Sequence, residues 1–137
     1  MEMKVEQSSG TKNLLVVEDE TVISAICHRV LSKEGFNVIL AGDGRKAIKL
    51  LAENKIDLCL LDIRTPGIDG LELYEHIRQT FPELAFKVIF MTGDSLSRNI
   101  PEFANEVGCQ LLEKPFTTNE LISAIRNLCL VSAPFEE

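Results

Sequence analysis

With 137 residues the chain has room for one domain and a sizeable core. Its 45% hydrophobic and only 6% aromatic content means that Leu, Ile, Val and Ala must build that core. A net charge of −7, from 21 acids against 14 bases with no basic cluster, excludes direct binding to DNA or RNA, which needs Lys and Arg gathered on one face.

No apolar stretch reaches the roughly 20 residues of a membrane span. The start, "MEMKVEQSSGTKN", lacks the apolar centre of a secretory signal, so a cytoplasmic protein with no membrane insertion is expected. Residues 1–12 read as an N-terminal arm. The first apolar run, "LLVV" at 14–17, is continuous rather than alternating, the mark of a strand buried on both faces. Val22, Ile23, Ile26, Cys27, Val30 and Leu31 then form a helical stripe that Gly35 stops. The second run, "VILA" at 38–41, leads through "AGDG" into a helix carrying Ala47, Ile48 and Leu51 and ending before Asn54. The third run, "LCLL" at 58–61, is followed by a Pro-Gly turn and a helix with Leu71, Tyr74 and Ile77, stopped by Pro82.

"VIFM" at 88–91 is the fourth run, and Ile100, Phe103, Ala104 and Val107 stripe the helix that leads to Gly108. After the fifth run, "QLL" at 110–112, Thr117 and Glu120 have the spacing of a capping box. Leu121, Ile125 and Leu128 supply the buried face of the helix that follows. Residues 132–137 read as a tail. Strand and helix alternate five times, which calls for an α/β, doubly wound (βα)5 three-layer sandwich: a five-stranded parallel sheet between two helical layers. The four cysteines, Cys27, Cys59, Cys109 and Cys129, have neither zinc nor redox spacing and read as buried small hydrophobes.

Ligands of an open α/β sheet bind beyond the carboxyl ends of its strands. Glu18, Asp19 and Glu20 follow the first strand. Asp62 ends the third and Thr92 the fourth, and Glu113, Lys114 and Pro115 follow the fifth. If the first and third strands are neighbours, Glu18, Asp19 and Asp62 crowd one rim. Two charges about 5 Å apart repel by roughly 3 kcal/mol at an effective dielectric of 20, so three must bind protons or recruit a cation. An all-oxygen, open site suits Mg²⁺. Three carboxylates balanced by Mg²⁺ and Lys114 leave the rim neutral and ready for an anion. Each residue also has a plainer role: turn chemistry for Asp62, helix capping for Glu18 and Asp19, a cap for Thr92, a surface turn for Lys114 and Pro115.

The acidic pair after "LLVV", then "DIRTPGIDG", "MTGD" and "EKPF", in this order and spacing over residues 13–131, resemble the receiver domain of two-component response regulators. The resemblance implies a flavodoxin-like strand order 2-1-3-4-5 and a phosphoacceptor at Asp62. It implies Mg²⁺ held by Asp19, by Glu18 through water, by Asp62 and by the Arg64 carbonyl. Thr92 would be the hydroxyl that moves toward the phosphoryl group, Lys114 would hold one of its oxygens, and the Lys114–Pro115 bond would be cis. The donor would be a histidine kinase or histidine phosphotransfer protein. The output would be an unknown downstream protein, contacted through the fourth helix, fifth strand and fifth helix. The module would be no enzyme beyond catalysing its own phosphorylation and slow self-dephosphorylation. With little chain after the fifth helix, no output domain is expected. The chain would be a single-domain regulator or the receiver part of a hybrid kinase or longer regulator.

Three features depart from the pattern. Glu18 stands where Asp is frequent, and Leu111 where a switching Tyr or Phe is frequent. By the resemblance, Arg64 and Asp94 stand at positions that flank the path of the hydrolytic water, where their pairing would slow dephosphorylation; the plainer alternative is two exposed loop charges whose pairing is worth under about 1 kcal/mol. His28 and His76 lie in predicted helices and carry no expected role. A haloacid-dehalogenase phosphatase would need an acid where Arg64 stands. A flavin carrier would need a glycine-bearing phosphate loop where "VVEDETV" stands. A receiver-like scaffold that no longer accepts phosphate conflicts with the intact Asp62, Asp19, Thr92 and Lys114.

Overall fold

The structure, a computed structural model, describes residues 10–93 and 100–131. Five strands, β1 (Asn13–Val17), β2 (Asn37–Ala41), β3 (Leu58–Asp62), β4 (Val88–Thr92) and β5 (Gln110–Glu113), alternate with helices α1 (Thr21–Lys33), α2 (Gly44–Glu53), α3 (Gly70–Thr80), α4 (Ile100–Val107) and α5 (Thr118–Cys129). A 3₁₀ turn, Leu84–Phe86, precedes β4. All strand pairs are parallel, in the order β2-β1-β3-β4-β5. This is the architecture and order expected.

The continuous apolar runs feed both faces of the sheet because successive strand residues point to opposite sides. Leu15, Val17, Cys59, Leu61 and Phe90 pack toward α2, α3 and α4. Leu14, Val16, Leu58, Leu60, Ile89 and Met91 pack toward α1 and α5. Two core layers result, with the sheet as their common wall.

Local chemistry sets the helix ends. The Asp43 side chain accepts from Lys46 N at 2.8 Å to start α2. The capping box that starts α5 is complete: Thr117 Oγ1 accepts from Glu120 N at 3.0 Å and Glu120 Oε1 from Thr117 N at 2.8 Å. Asp69 and Glu72 form a second box at the start of α3. Gly35 takes φ 102° after α1 and Gly108 takes φ 77° after α4, conformations that favour glycine.

Two expectations need correction. Val22 belongs to the apolar stripe of α1 by spacing, yet it is 71% exposed; it sits in the first turn, and Cys27 and Leu31 are the buried residues of that helix. Cys129 is exposed, on the last turn of α5, and Cys109 is half-buried, whereas Cys27 and Cys59 are buried as expected. An apolar segment at a helix end need not face the core.

Candidate functional site

β1 and β3 are hydrogen-bonded neighbours, with Val17 level with Leu61, so the residues that follow each strand emerge side by side. Glu18, Asp62, Thr65 and Thr92 are the buried polar or charged residues among those described, and all four belong to this carboxyl end of the sheet. Oxygens of Glu18, Asp19 and Asp62 lie within 4.8 Å of one another. Lys114 reaches in from the other side of β4. Its Nζ lies 3.0 Å from Asp62 Oδ2, 2.8 Å from Glu18 Oε1 and 3.2 Å from Glu20 Oε1. The backbone holds this arm in place: Lys114 N donates to Thr92 O at 2.8 Å, and the Lys114–Pro115 bond is cis. An open cleft of about 550 Å³ unites Asp19, Glu20, Asp62, Arg64, Gly93 and Lys114 along its walls.

The backbone also aims the acids. Arg64 N donates to Asp62 Oδ1 at 3.2 Å, and Glu20 N to Glu18 Oε2 at 3.1 Å. Gly70 is required behind Asp62: a Cβ there would meet Asp62 O at 2.5 Å and Ile63 Cα at 2.7 Å. The first turn of α3 therefore rests directly on the backbone of the acid.

Burial pushes the Glu18 carboxyl up to about 7, and its hydrogen bond with Asp62 adds to the rise against the opposing effect of Lys114. Burial alone would lower Lys114, but the Glu18 and Asp62 carboxylates outweigh it and hold the ammonium above its ordinary range. Glu18 Oε1 is buried and no hydrogen-bond donor points at it, its approach to Lys114 being an ion pair without hydrogen-bond geometry. A buried orphan oxygen beside two further carboxylates fits a hard divalent cation such as Mg²⁺.

Every residue expected at the rim is on these elements, and the structure brings together Glu18, Asp19, Asp62 and Lys114. Thr92 ends β4 level with Glu113, next to the β3 position of Asp62. Asp94 lies outside the described residues, so its pairing with Arg64 is not addressed by them. His28 is exposed on α1, and His76 packs its ring edge-on to Phe81 at 6.3 Å. Two residues were missed: Glu20, read only as part of an acidic run, and Gly70, whose signal was its place at the start of a helix two turns after a strand end.

A second cavity, about 640 Å³ and lined by Leu51, Ile56, Phe81, Pro82 and Leu84, lies at the opposite, amino-end edge of the sheet and holds none of these residues. Chemistry, not apolar volume, identifies the site.

The response regulator receiver domain family matches residues 14–126. A probable transcriptional regulator of Porphyra purpurea is 39% identical over 117 residues, 85% of this chain and 56% of its own length. The alkaline phosphatase synthesis transcriptional regulatory protein PhoP of Bacillus subtilis is 32% identical, with 92% of this chain and 53% of that protein covered. The chain thus spans about half the length of the curated relatives it matches. The signal receiver domain of an HD domain-containing protein from Pseudomonas fluorescens superposes with a TM-score of 0.78 at 29% identity, over 87% of this chain and 94% of that one. TrrA of Thermotoga maritima, a response regulator solved in complex with Mg(2+)-BeF, gives 0.74 at 31% identity over 85% and 98%. The fold, the ordered rim of acids and Lys114, and the family match over most of the chain agree: this chain belongs to the response regulator receiver domain family.

Proposed function

We propose that the chain accepts a phosphoryl group on Asp62 from a phosphohistidine of a histidine kinase or histidine phosphotransfer protein, and that it signals by altered protein contacts. The observation that carries this reading is Asp62 itself. It is 3% exposed at the end of a buried strand, paired with Lys114 at 3.0 Å and crowded by Glu18 and Asp19.

In the transfer an Asp62 carboxylate oxygen attacks phosphorus in line. The O–P bond forms as the P–N bond to imidazole breaks, and the leaving nitrogen keeps the electron pair. Lys114 takes one phosphoryl oxygen, and the Thr92 hydroxyl, at the end of the neighbouring strand, takes another. The Arg64 N–H holds the attacking carboxylate in orientation. Glu18, Asp19, Asp62 and the Arg64 carbonyl would hold Mg²⁺, which supplies positive charge against the transferring oxygens.

For output, α4, β5 and α5 would form the contact surface in a cytoplasmic partner exchange. Leu111, level with Phe90 on β4, supplies no ring for an aromatic switch there, so Thr92 and the segment after β4 would carry the signal. No described helix is long and apolar enough to cross a membrane.

Incubation with phosphoramidate and Mg²⁺ followed by intact-mass measurement tests the reading. Wild type should gain one phosphoryl group and Asp62→Asn none; an unchanged wild-type mass would refute it.

A further inference from the structure

The resting lysine is ringed by three carboxylates and donates to two of them. An ammonium offers three N–H groups, and Lys114 Nζ faces Glu18, Asp62 and Glu20 at 2.8, 3.0 and 3.2 Å. The first two carboxylates are buried, with side chains 0% and 5% exposed, while that of Glu20 is 61% exposed. Lys114 Nζ donates to Asp62 and Glu20 while Glu18 Oε1 holds it by charge alone, so a phosphoryl oxygen arriving on Asp62 competes with these acids for the ammonium. Release is easiest at Glu20, whose carboxylate returns to water rather than to a buried site.

A second, independent observation sets Glu20 apart. It is the N-cap residue of α1, where an acidic side chain ordinarily accepts from the first-turn N–H groups, yet it makes no side-chain cap hydrogen bond. Its carboxylate instead reaches a residue 94 positions away. It also lines the cleft through which any donor must come.

We propose that Glu20 is a displaceable counter-ion: it occupies one Lys114 N–H in the resting protein, competes with an arriving phosphoryl oxygen for the ammonium, and places a negative charge in the path of anionic donors. It is thus a positioning residue, acting through Lys114, that sets how readily free small phosphodonors load Asp62. A protein donor carrying a cation near its phosphohistidine would draw Glu20 aside and escape the penalty. The proposal rests on the phosphoacceptor reading of Asp62.

The test uses Glu20→Gln, which removes the charge and keeps the length; the Glu20 N–H that orients Glu18 belongs to the backbone and is untouched. At saturating Mg²⁺ and low salt, loading is followed by intact mass with acetyl phosphate, a dianion, and phosphoramidate, a monoanion. Glu20→Gln should load about two- to five-fold faster per unit donor, the range of one exposed ion pair, with the larger gain on the dianion. The gain should shrink toward unity in molar salt. Beryllofluoride titration followed by NMR gives a readout without turnover, and Glu20→Gln should bind tighter by a similar factor. Glu20→Asp, which keeps the charge, should preserve the wild-type ratio between the two donors.

Equal or slower loading of Glu20→Gln with unchanged beryllofluoride affinity overturns the proposal while the phosphoacceptor reading stands. A wild type that takes up no phosphoryl group removes both.

Discussion

One strand carries an aspartate at each end, and the two could hardly differ more. Asp57 precedes β3 at the amino-end edge of the sheet; Asp62 closes the strand at the other. Asp57 accepts from Asn13 N at 2.8 Å and lies 3.6 Å from Lys55, whose side chain is 86% exposed. Its charge is met by near neighbours and by water. Asp62 is 3% exposed, shares its rim with two further carboxylates, and draws its cation from Lys114, 52 residues on. The reading of Asp62 as the phosphoacceptor therefore rests on surplus like charge under burial, not on residue type or position beside a strand.

The contrast breaks first if the two lysines behave alike. In metal-free protein, Lys114→Met strips the cation from a buried acidic set and should cost about 3 kcal/mol, the low end for a broken buried pair, since Lys114 is slightly exposed. Millimolar Mg²⁺ should recover most of that loss. Lys55→Met should change urea stability by less than about 0.5 kcal/mol. Equal costs would mean that burial does not separate the two ends.

The site end should also carry its own pH dependence. The folded protein holds the Glu18 proton more tightly than the unfolded chain does, its carboxyl standing at about 7 against an ordinary 4.5. The stability this adds is complete below pH 4.5 and is lost as pH rises through about 7. Metal-free wild type should therefore lose roughly 2 kcal/mol across that window relative to Glu18→Gln, less than the full linkage of about 3 kcal/mol because solvent screens part of it, a slope measurable by denaturation at stepped pH. A parallel pair of curves would remove Glu18 as the buried acid.

Gly70→Ala should cost roughly 2 kcal/mol, because its Cβ has backbone rather than a flexible side chain to displace. Gly42→Ala, with nothing within 4 Å of the added carbon, is the control and should be near neutral in thermal melts. The smallest effect sharpens the other end. Asp57→Asn should cost about 1 kcal/mol through its weakened bond to Asn13 N and leave phosphoryl uptake unchanged.

Much of this molecule is legible in its sequence. The runs at 14–17, 38–41, 58–61, 88–91 and 110–112 became strands because unbroken apolar stretches of that length fit a sheet covered on both faces. Thr117 and Glu120 became a capping box because their bonds span three residues, a distance that sequence spacing fixes. Asp62, Thr92 and Lys114 could be placed on one rim because parallel strands all present their carboxyl ends to the same edge. Glu20 and Gly70 could not be read that way. The partner of Glu20 comes from just beyond β5, and Gly70 is glycine because a helix start meets the backbone of Asp62. The same holds for Val22 and Cys129, whose apolar spacing implied burial while their places at helix ends left them outside. Periodicity and capping are local, so the chain itself determined its elements, their layering and the edge where the acids gather. Which acid shares the lysine, which glycine must be bare and which apolar residue stays in water depend on contacts between distant segments, and these arise only when the layers close.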